Sequence, residues 1–281
     1  MTPQNPEYFG NLSPHEIEVA RIRQFATKIF NPETLIFLGE CQNKGLNLEG
    51  EMLLILGVGP GATLEVWKNL QPGKINGVDT NVKMLEEAAK EANRLGIGNI
   101  FQGIEGKVEN LGTLIEPGSV KCIESRLLWQ HIPATALKQV ADQVVDILKS
   151  GGALTAEDLN LSTWRLEPRN EANEKILEDA RIFYQRRTAN WDMGGLLTKL
   201  FRDSGLKIVH TREYASNSRE NPDMVITHKG ILQSMGRGII AMGIQTKEEF
   251  DQYFAEVLRA LEDPGTIVTA PIMSQVCAVK T

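Results

Sequence analysis

The sequence has few cysteines, few aromatic residues and no excess of positive charge. Its 281 residues contain 3 cysteines and 6% aromatic residues. Cys41, Cys122 and Cys277 are odd in number and far apart, so neither a disulfide framework nor a zinc site is predicted. A formal net charge of −6 gives no indication of the basic face that nucleic-acid binding requires, so we expect no nucleic-acid partner.

Long apolar segments are also missing. None reaches the ~18–20 residues of a membrane span, and the residues before Met52 lack the pattern of a signal peptide. The histidines have no partners at metal-ligand spacing, so no metal site is expected. We therefore expect a cytoplasmic protein that acts on a small molecule, with no membrane partner; a homodimer is left open.

From Met52 onward, apolar stretches typical of strands alternate with helices. The strand candidates are MLLIL, KINGVD, VKCIES, ALTAED, LKIVHTREYA and, after a long excursion, PIMSQVCAVK. Such alternation predicts a parallel sheet with helices on both faces. The predicted fold class is α/β: a Rossmann-like, doubly wound sheet that is mostly parallel, with an antiparallel last strand and a helical cap.

Three segments lie outside this alternation. Residues 1–48 are predicted to form an N-terminal helical cap, because Ser13 and Pro14 have the pattern of a helix start. Residues 49–281 would then form the Rossmann-like domain, with lid insertions at about 160–192 and 222–264.

Three glycines, Gly57, Gly59 and Gly61, stand where the first strand turns into its helix. Glycine is needed where backbone passes close to a ligand or takes a positive φ. Asp79 ends the second strand, 20 residues after Gly59. This is the spacing at which an acid contacts the ribose of a bound nucleotide. The sequence therefore predicts a site for an adenosine-containing ligand.

The glycine loop alone leaves two ligands open. GVGPGA also fits the dinucleotide pattern G-x-G-x-x-A, which would make the protein an NAD(P)-dependent oxidoreductase. Two features weigh against that reading. About fifty residues of helical pattern precede the first strand, and a second strand–helix–strand half for a nicotinamide is hard to find.

Five motifs stand in a fixed order: LLILGVGPG, GVDTNVKMLEEAAKEA, SRLLWQHIP, LKSGGALTAED and MGGLLTKLFRDSGLKIV. Together they resemble the class I S-adenosylmethionine-dependent methyltransferases, in the small-molecule branch with the ubiquinone/menaquinone and natural-product enzymes. The resemblance covers about 15–215 and the closing strand. It implies S-adenosyl-L-methionine as cofactor and methyl transfer to an N, O or C nucleophile of a small molecule, such as a secondary metabolite.

The resemblance also implies which residues contact the cofactor. They are Gly57, Val58, Gly59, Gly61, Asp79, Thr80, Met84, Lys107, Val108 and Arg126. Three acids usual in the family are replaced here by Ile55, Lys107 and Lys121, and Glu105 and Glu109 flank the second of these positions. Because the cofactor is cationic, the lost negative charge would weaken its binding. A non-catalytic, methyltransferase-like binding protein is therefore left open.

Two residues are predicted to be catalytic, His131 and Glu157. His131 follows the fourth strand at its C-terminal end, where α/β sheets bind ligands, and imidazole is a common general base. Glu157 ends the fifth strand and would face the acceptor. The residues predicted to bind the acceptor are Tyr8, Trp129, His131, Asp158, Trp164, Tyr184 and Trp191. Helix packing for the aromatic residues, and a capping role for His131, are the alternatives.

Overall fold

The computed structural model describes residues 14–281. Its central sheet has seven strands in the order β3-β2-β1-β4-β5-β9-β7. Their bounds are β1 Met52–Leu56, β2 Lys74–Asp79, β3 Phe101–Glu105, β4 Val120–Arg126, β5 Leu148–Asn160, β7 Lys207–Tyr214 and β9 Ile272–Val279. The pairs from β3 through β5 are parallel, whereas β9 is antiparallel to both β5 and β7. The predicted fold class, including the antiparallel last strand, is confirmed.

Two features of the strand arrangement were not predicted. Strand β3 (FQGIE) lies at the edge of the sheet, and its residues are exposed or half-buried, so it lacks the apolar run of an inner strand. A separate two-stranded sheet pairs β6 (Arg165–Glu167) with β8 (Ile267–Thr269).

Helices cover both faces of the sheet. Their bounds are α1 Pro14–Phe25, α2 Asn31–Gln42, α3 Leu64–Trp67, α4 Val82–Arg94, α5 Leu111–Leu114, α6 Leu137–Ile147, α7 Glu171–Arg186, α8 Gly194–Asp203, α9 Asp223–Ala241 and α10 Lys247–Ala260. A π-helical turn, Ala26–Phe30, joins α1 to α2. Helices α2 and α4 pack on one face of the sheet, and α6 and α8 pack on the other.

Helix α4 illustrates how local sequence sets these elements. The Asn81 side chain accepts a hydrogen bond from the Lys83 N–H, which satisfies one of the free donors at the helix start. Leu85, Ala88 and Ala92 recur at helical spacing and are buried against the sheet. The amphipathic helix therefore begins directly after β2, which places the end of β2 beside the glycine loop.

A third apolar cluster lies apart from the two faces of the sheet. It joins α7, α9 and α10, which we call the cap helices, with β6 and β8. Ile29 and Phe30 of the π-helical turn also pack against this cluster. The chain between α1 and α2 therefore touches both the cap helices and the edge of the sheet where β4 ends.

Candidate active site

The glycine loop leaves β1 with three residues in the left-handed region. The φ angles are +64° at Gly57, +52° at Gly59 and +78° at Gly61. A Cβ on Gly61 would lie 3.0 Å from the Ala88 Cα, so this glycine allows α4 to pack closely. A Cβ on Gly59 would meet nothing nearer than 4.0 Å, so this glycine leaves open space for a ligand.

Asp79 is held at the end of β2 by two backbone donors. Its Oδ2 accepts a hydrogen bond from the Gly59 N–H at 2.9 Å, and its Oδ1 accepts one from the Asn81 N–H at 2.9 Å. Each carboxylate oxygen can accept more than one hydrogen bond. Because Asp79 also lines the cleft, its carboxylate is oriented in advance and can still accept hydrogen bonds from a ligand.

Two connected chambers form the cleft. The Asp79 chamber, about 220 Å³, is lined by Gly57, Val78, Asp79, Thr80, Gly106, Val108, Glu109, Leu128, His131 and Ile132. The Arg126 chamber, about 320 Å³, is lined by Ile22, Phe25, Ala26, Phe30, Gly57, Val58, Gly59, Pro60, Ala62, Thr63, Arg126, Leu127, Gln130 and His131. Gly57 and His131 belong to both, so the two chambers are ends of one cleft.

Arg126 ends β4 and points into the second chamber. Its guanidinium donates hydrogen bonds to the Asn31 Oδ1 at 2.9 Å and the Thr34 Oγ1 at 3.3 Å, and lies 5.5 Å from the centre of the Phe30 ring. Leu127, the next residue, has a φ of +56°, a conformation that costs energy for a residue with a branched side chain. The chain therefore turns sharply beside the cleft, and α2 holds the arginine.

Glu157, predicted to be catalytic, does not line the cleft. Its carboxylate is buried beneath α2, where it accepts hydrogen bonds from the Thr34 hydroxyl at 2.9 Å and from the Gln275 amide at 2.7 Å. Desolvation raises the pKa of Glu157, although the charge of Arg126 opposes this. Through Thr34, Glu157 supports the position of Arg126.

His131 lies where the two chambers meet, with its side chain exposed to the cleft. The protein packed around the ring lowers the pKa of His131 to about 4, mainly by desolvation and secondly through the charge of Arg187. The imidazole is therefore neutral at pH 7 and can accept a proton or a hydrogen bond. Tyr184 lies beside it, with ring centres 6.0 Å apart, and packs edge-on against Trp191.

Several other predicted contacts are placed elsewhere by the structure. Met84 is buried on α4 and Lys107 is exposed, and neither lines the cleft. Trp129 is fully buried, donates a hydrogen bond to the Ser125 hydroxyl and packs against Phe201, so it belongs to the core of the opposite face. The side chains of Met84, Lys107 and Trp129 therefore do not line the cleft. A contact through the Lys107 backbone, between the lining residues Gly106 and Val108, stays a prediction.

Asp158 and Trp164 are buried as well. Asp158 accepts hydrogen bonds from the Gln130 and Leu159 N–H groups, and desolvation raises its pKa to about 7. It therefore supports the turn that carries His131, and it is not among the residues that line the two chambers. Trp164 is part of the cap-helix cluster. Tyr8 lies outside the described residues.

The three lost acids have different surroundings. Ile55 is buried in β1, and its partner in register on β4 is Glu124, whose carboxylate has no hydrogen-bond partner within residues 14–281. Lys121 donates a hydrogen bond to the Gly151 carbonyl away from the cleft. Glu109 lines the Asp79 chamber two residues after Lys107. Of the two acids flanking that position, it is the one that places negative charge in the cleft.

Residues 14–281 contain no group of three or more metal-ligating side chains, and no helix among them is long and apolar enough to cross a membrane. The described cysteines are free and buried. Strand β9 occupies the sheet position beyond β5 and runs antiparallel. A second parallel half for a nicotinamide, which the oxidoreductase alternative requires, is therefore not formed there.

Solved structures of low sequence identity share this fold. A candidate sarcosine dimethylglycine methyltransferase from Galdieria sulphuraria is 18% identical, with a TM-score of 0.55 over 89% of this chain and 86% of that chain. A geranyl diphosphate methyltransferase in complex with S-adenosylmethionine is 14% identical, with a TM-score of 0.51 over 100% and 93%. The cyclase SpnF is 13% identical, with a TM-score of 0.53 over 83% and 76%. No protein of curated function matches the sequence.

Residues 53–152 match the family model described as a methyltransferase domain. The match includes the glycine loop and Asp79. Residues 53–152 therefore match a methyltransferase domain, in agreement with the resemblance that the five motifs predicted.

The residues of the cleft fit S-adenosylmethionine. Gly59 leaves backbone open to the ligand, and Asp79 presents acceptors for ribose hydroxyls. In the Arg126 chamber, the buried Thr63 Oγ1 and Gln130 Oε1 have no hydrogen-bond partner in the described part of the chain. Buried polar atoms usually find partners, so these two are suited to the amino-acid end of the cofactor.

Proposed function

We propose that this protein transfers the methyl group of S-adenosylmethionine to an N, O or C nucleophile of a small molecule, such as a secondary metabolite. The observation that carries the proposal is the Asp79 carboxylate, which the Gly59 and Asn81 N–H groups hold at the mouth of the Asp79 chamber. An acid oriented in this way at the end of β2 suits a ribose and requires no phosphate.

Each chamber has its own role in the proposal. The Asp79 chamber takes the adenosine, with Thr80, Val108 and Glu109 around it. The Arg126 chamber takes the methionine part, whose carboxylate would meet Arg126 and whose amine would meet Thr63 or Gln130. The acceptor then approaches from the side of α1 and the π-helical turn.

The residues contribute mainly by positioning. S-adenosylmethionine, when bound, supplies an electrophilic methyl group on a positively charged sulfur. Aligning the acceptor with that group contributes about 7–11 kcal/mol in well-oriented reactions. The apolar side chains Ile22, Phe25 and Phe30 help exclude water from the Arg126 chamber. His131 accepts the proton where the acceptor must lose one, as a weak base that is neutral at pH 7.

Calorimetry with S-adenosylhomocysteine, the methyl-free product, tests the cofactor assignment. We expect saturable binding to the wild-type protein. Asp79→Ala should weaken it about tenfold to a hundredfold, because ribose hydrogen bonds are lost and the loop loses its anchor. Asp142→Ala, on the solvent-facing side of α6, removes only a surface ion pair with Lys138; it is the matched control and should bind normally. If neither S-adenosylmethionine nor S-adenosylhomocysteine bound to the wild-type protein, the proposal would fail.

Binding without methyl transfer is the second candidate. It is favoured by the residues Ile55, Lys107 and Lys121, where the family usually has acids. A fold can host more than one reaction. Incubation with S-adenosylmethionine labelled in its methyl group, together with a panel of small phenols and amines, separates the two candidates. Labelled product supports methyl transfer, whereas binding without label in any acceptor supports the second candidate.

A further inference from the structure

A small, mostly apolar cavity lies beside the cleft, between the sheet and the cap helices. Its walls come from the π-helical turn, the end of β5, α9, the residues after β7 and the start of β9. We call it the inner cavity. Its volume is about 30 Å³, which is roughly the volume of one water molecule in the liquid. A hydroxyl or carbonyl group therefore has room in the cavity, and it meets the buried polar atoms of the lining once those side chains shift slightly.

Three side chains that line the inner cavity carry buried polar atoms without partners. They are the Trp164 Nε1, both ring nitrogens of His228 and the Tyr214 hydroxyl, none of which has a hydrogen-bond partner among residues 14–281. His228 is 0% exposed and Trp164 is 5% exposed. An unpaired buried polar group is costly, so several around one cavity indicate that a partner enters it.

The inner cavity is neutral. Among the residues that the structure describes, its lining contains no aspartate, glutamate, lysine or arginine side chain. Desolvation lowers the pKa of His228 to about 3, so the imidazole is neutral at pH 7. A charged group would lose its hydration without gaining an ionic partner. The partner is therefore uncharged, and it can accept from Trp164 or Tyr214 and donate to His228.

Phe30 connects the inner cavity to the cleft. Its side chain lines both the inner cavity and the Arg126 chamber. The ring is half-buried and lies 5.5 Å from the Arg126 guanidinium carbon. A molecule in the Arg126 chamber thus reaches the inner cavity if the Phe30 ring turns aside.

We propose that the inner cavity binds the uncharged hydrogen-bonding end of the methyl acceptor, a hydroxyl or carbonyl, while the apolar body of the acceptor replaces Phe30 beside the cleft. The assignment of this ligand as the acceptor rests on the proposed methyltransferase function. The inner cavity then selects acceptors with two features: a nucleophile that lies at the cofactor and a neutral polar group at the far end of the molecule. A phosphorylated or carboxylated far end is rejected.

Fluorine NMR titration with 4-fluorophenol and fluorobenzene tests the inner cavity. The two probes have the same ring, and one carries a hydroxyl. We expect 4-fluorophenol to bind wild-type protein about fivefold to tenfold more tightly, the effect of about one net hydrogen bond. Tyr214→Phe should remove most of this preference and leave fluorobenzene binding unchanged. Because the Tyr214 hydroxyl has no partner among the described residues, this variant should fold normally.

Two further variants complete the design. Tyr253→Phe, on α10 outside the inner cavity, is the matched control and should keep the wild-type preference. Phe30→Ala should strengthen 4-fluorophenol binding, because the ring no longer has to move. The proposal is overturned if 4-fluorophenol binds no better than fluorobenzene, or if Tyr214→Phe keeps the preference; in either case the inner cavity holds water alone.

Titration of the same samples with S-adenosylhomocysteine separates this inference from the proposed function. If S-adenosylhomocysteine binds but the hydroxyl preference is missing, the inner-cavity proposal fails and the methyltransferase proposal stands. If the hydroxyl preference is present but S-adenosylhomocysteine does not bind, the cavity remains a site for a neutral ligand. The proposed function then fails, and with it the assignment of that ligand as the acceptor.

Discussion

The Asp79 end of the cleft and the inner cavity, which we call the cap end, are built in different ways. At the Asp79 end, the glycines and the acid come from one strand–loop–helix–strand unit, and two backbone N–H groups orient the acid. At the cap end, the π-helical turn, β7, α9 and β9 bring together side chains that are far apart in sequence. Buried polar atoms there lack partners in the described part of the chain.

This difference separates cofactor binding, which is general, from acceptor choice, which is specific. Backbone geometry at the Asp79 end suits one ligand that a whole class of enzymes shares. This backbone tolerates few substitutions. The side chains at the cap end can be exchanged without altering the sheet, so acceptor choice is expected to reside there. Substitutions at the first end should therefore affect folding and cofactor binding together, whereas those in the cap helices should affect neither the sheet nor the cofactor.

Gly61→Ala should have the largest effect on stability. Gly61 has a φ of +78°, and its new Cβ would lie 3.0 Å from the Ala88 Cα and 2.9 Å from the Leu64 Cδ1. A left-handed alanine costs about 1–2 kcal/mol, and overpacking adds about 1–3 kcal/mol. The free energy of unfolding should fall by about 3–4 kcal/mol, measured by urea denaturation.

Gly59→Ala is the informative comparison for Gly61→Ala. Its φ is +52°, but its Cβ would have open space around it. The free energy of unfolding should fall by only about 1–2 kcal/mol. Binding of S-adenosylhomocysteine should be strongly weakened, because the added methyl group occupies the space of the ligand. Equal losses of stability in the two variants would contradict the assignment of Gly61 to helix packing and of Gly59 to ligand binding.

Glu124→Gln should stabilise the protein, by an amount that grows with pH. Burial raises the pKa of Glu124 to about 8, with Glu157 adding to the rise and Arg126 opposing it. In the unfolded chain the carboxyl ionises near pH 4.5. The native state must therefore hold a proton that the unfolded state releases, and wild-type stability is lost as pH rises from about 4.5 to 8.

Glutamine does not titrate, so the difference in unfolding free energy between Glu124→Gln and the wild-type protein measures this loss of stability. We expect little gain at pH 4.5 and a gain of about 2–3 kcal/mol at pH 7, from denaturation curves across this range. Glu86→Gln, on the exposed face of α4, is the control and should show no such trend. A gain that is constant with pH would show that Glu124 is not protonated in the native state.

The sequence predicted the Asp79 end well because its signals are local. Gly57, Gly59 and Asp79 lie within one strand–loop–helix–strand unit, where chain direction follows from glycine content and strand ends. Strand β3 was missed because an exposed edge strand needs no apolar alternation. The sheet could thus be predicted apart from its least buried strand.

The cap end could not be predicted in the same way. Glu157 and Asp158 are neighbours near the end of β5, but neighbouring residues in a strand face opposite sides of the sheet. One carboxylate therefore lies under α2 and the other behind the turn of His131. Tyr214 and His228 carried no pattern at all, because only the tertiary fold brings the end of β7 and helix α9 to one cavity.

Thr246→Ala should give the smallest effect and tests whether the cap helices open independently. Thr246 caps α10: its hydroxyl accepts a hydrogen bond from the Glu249 N–H at 3.2 Å, and its own N–H donates one to the Glu249 carboxylate at 2.8 Å. Losing such a cap costs about 1 kcal/mol. Amide hydrogen exchange should accelerate about fivefold in α10 and remain unchanged in β1 and β4, with S-adenosylhomocysteine affinity unchanged.

Thr246→Ser keeps the capping oxygen and should restore slow exchange in α10. If exchange accelerated equally in α10 and in the central strands, the cap helices and the sheet would unfold as one unit. The Asp79 end and the cap end would then differ in the sequence signals that specify them but not in their stability. A response confined to α10 would instead mean that the cap helices can open without loss of the sheet, which would give an acceptor access to the inner cavity.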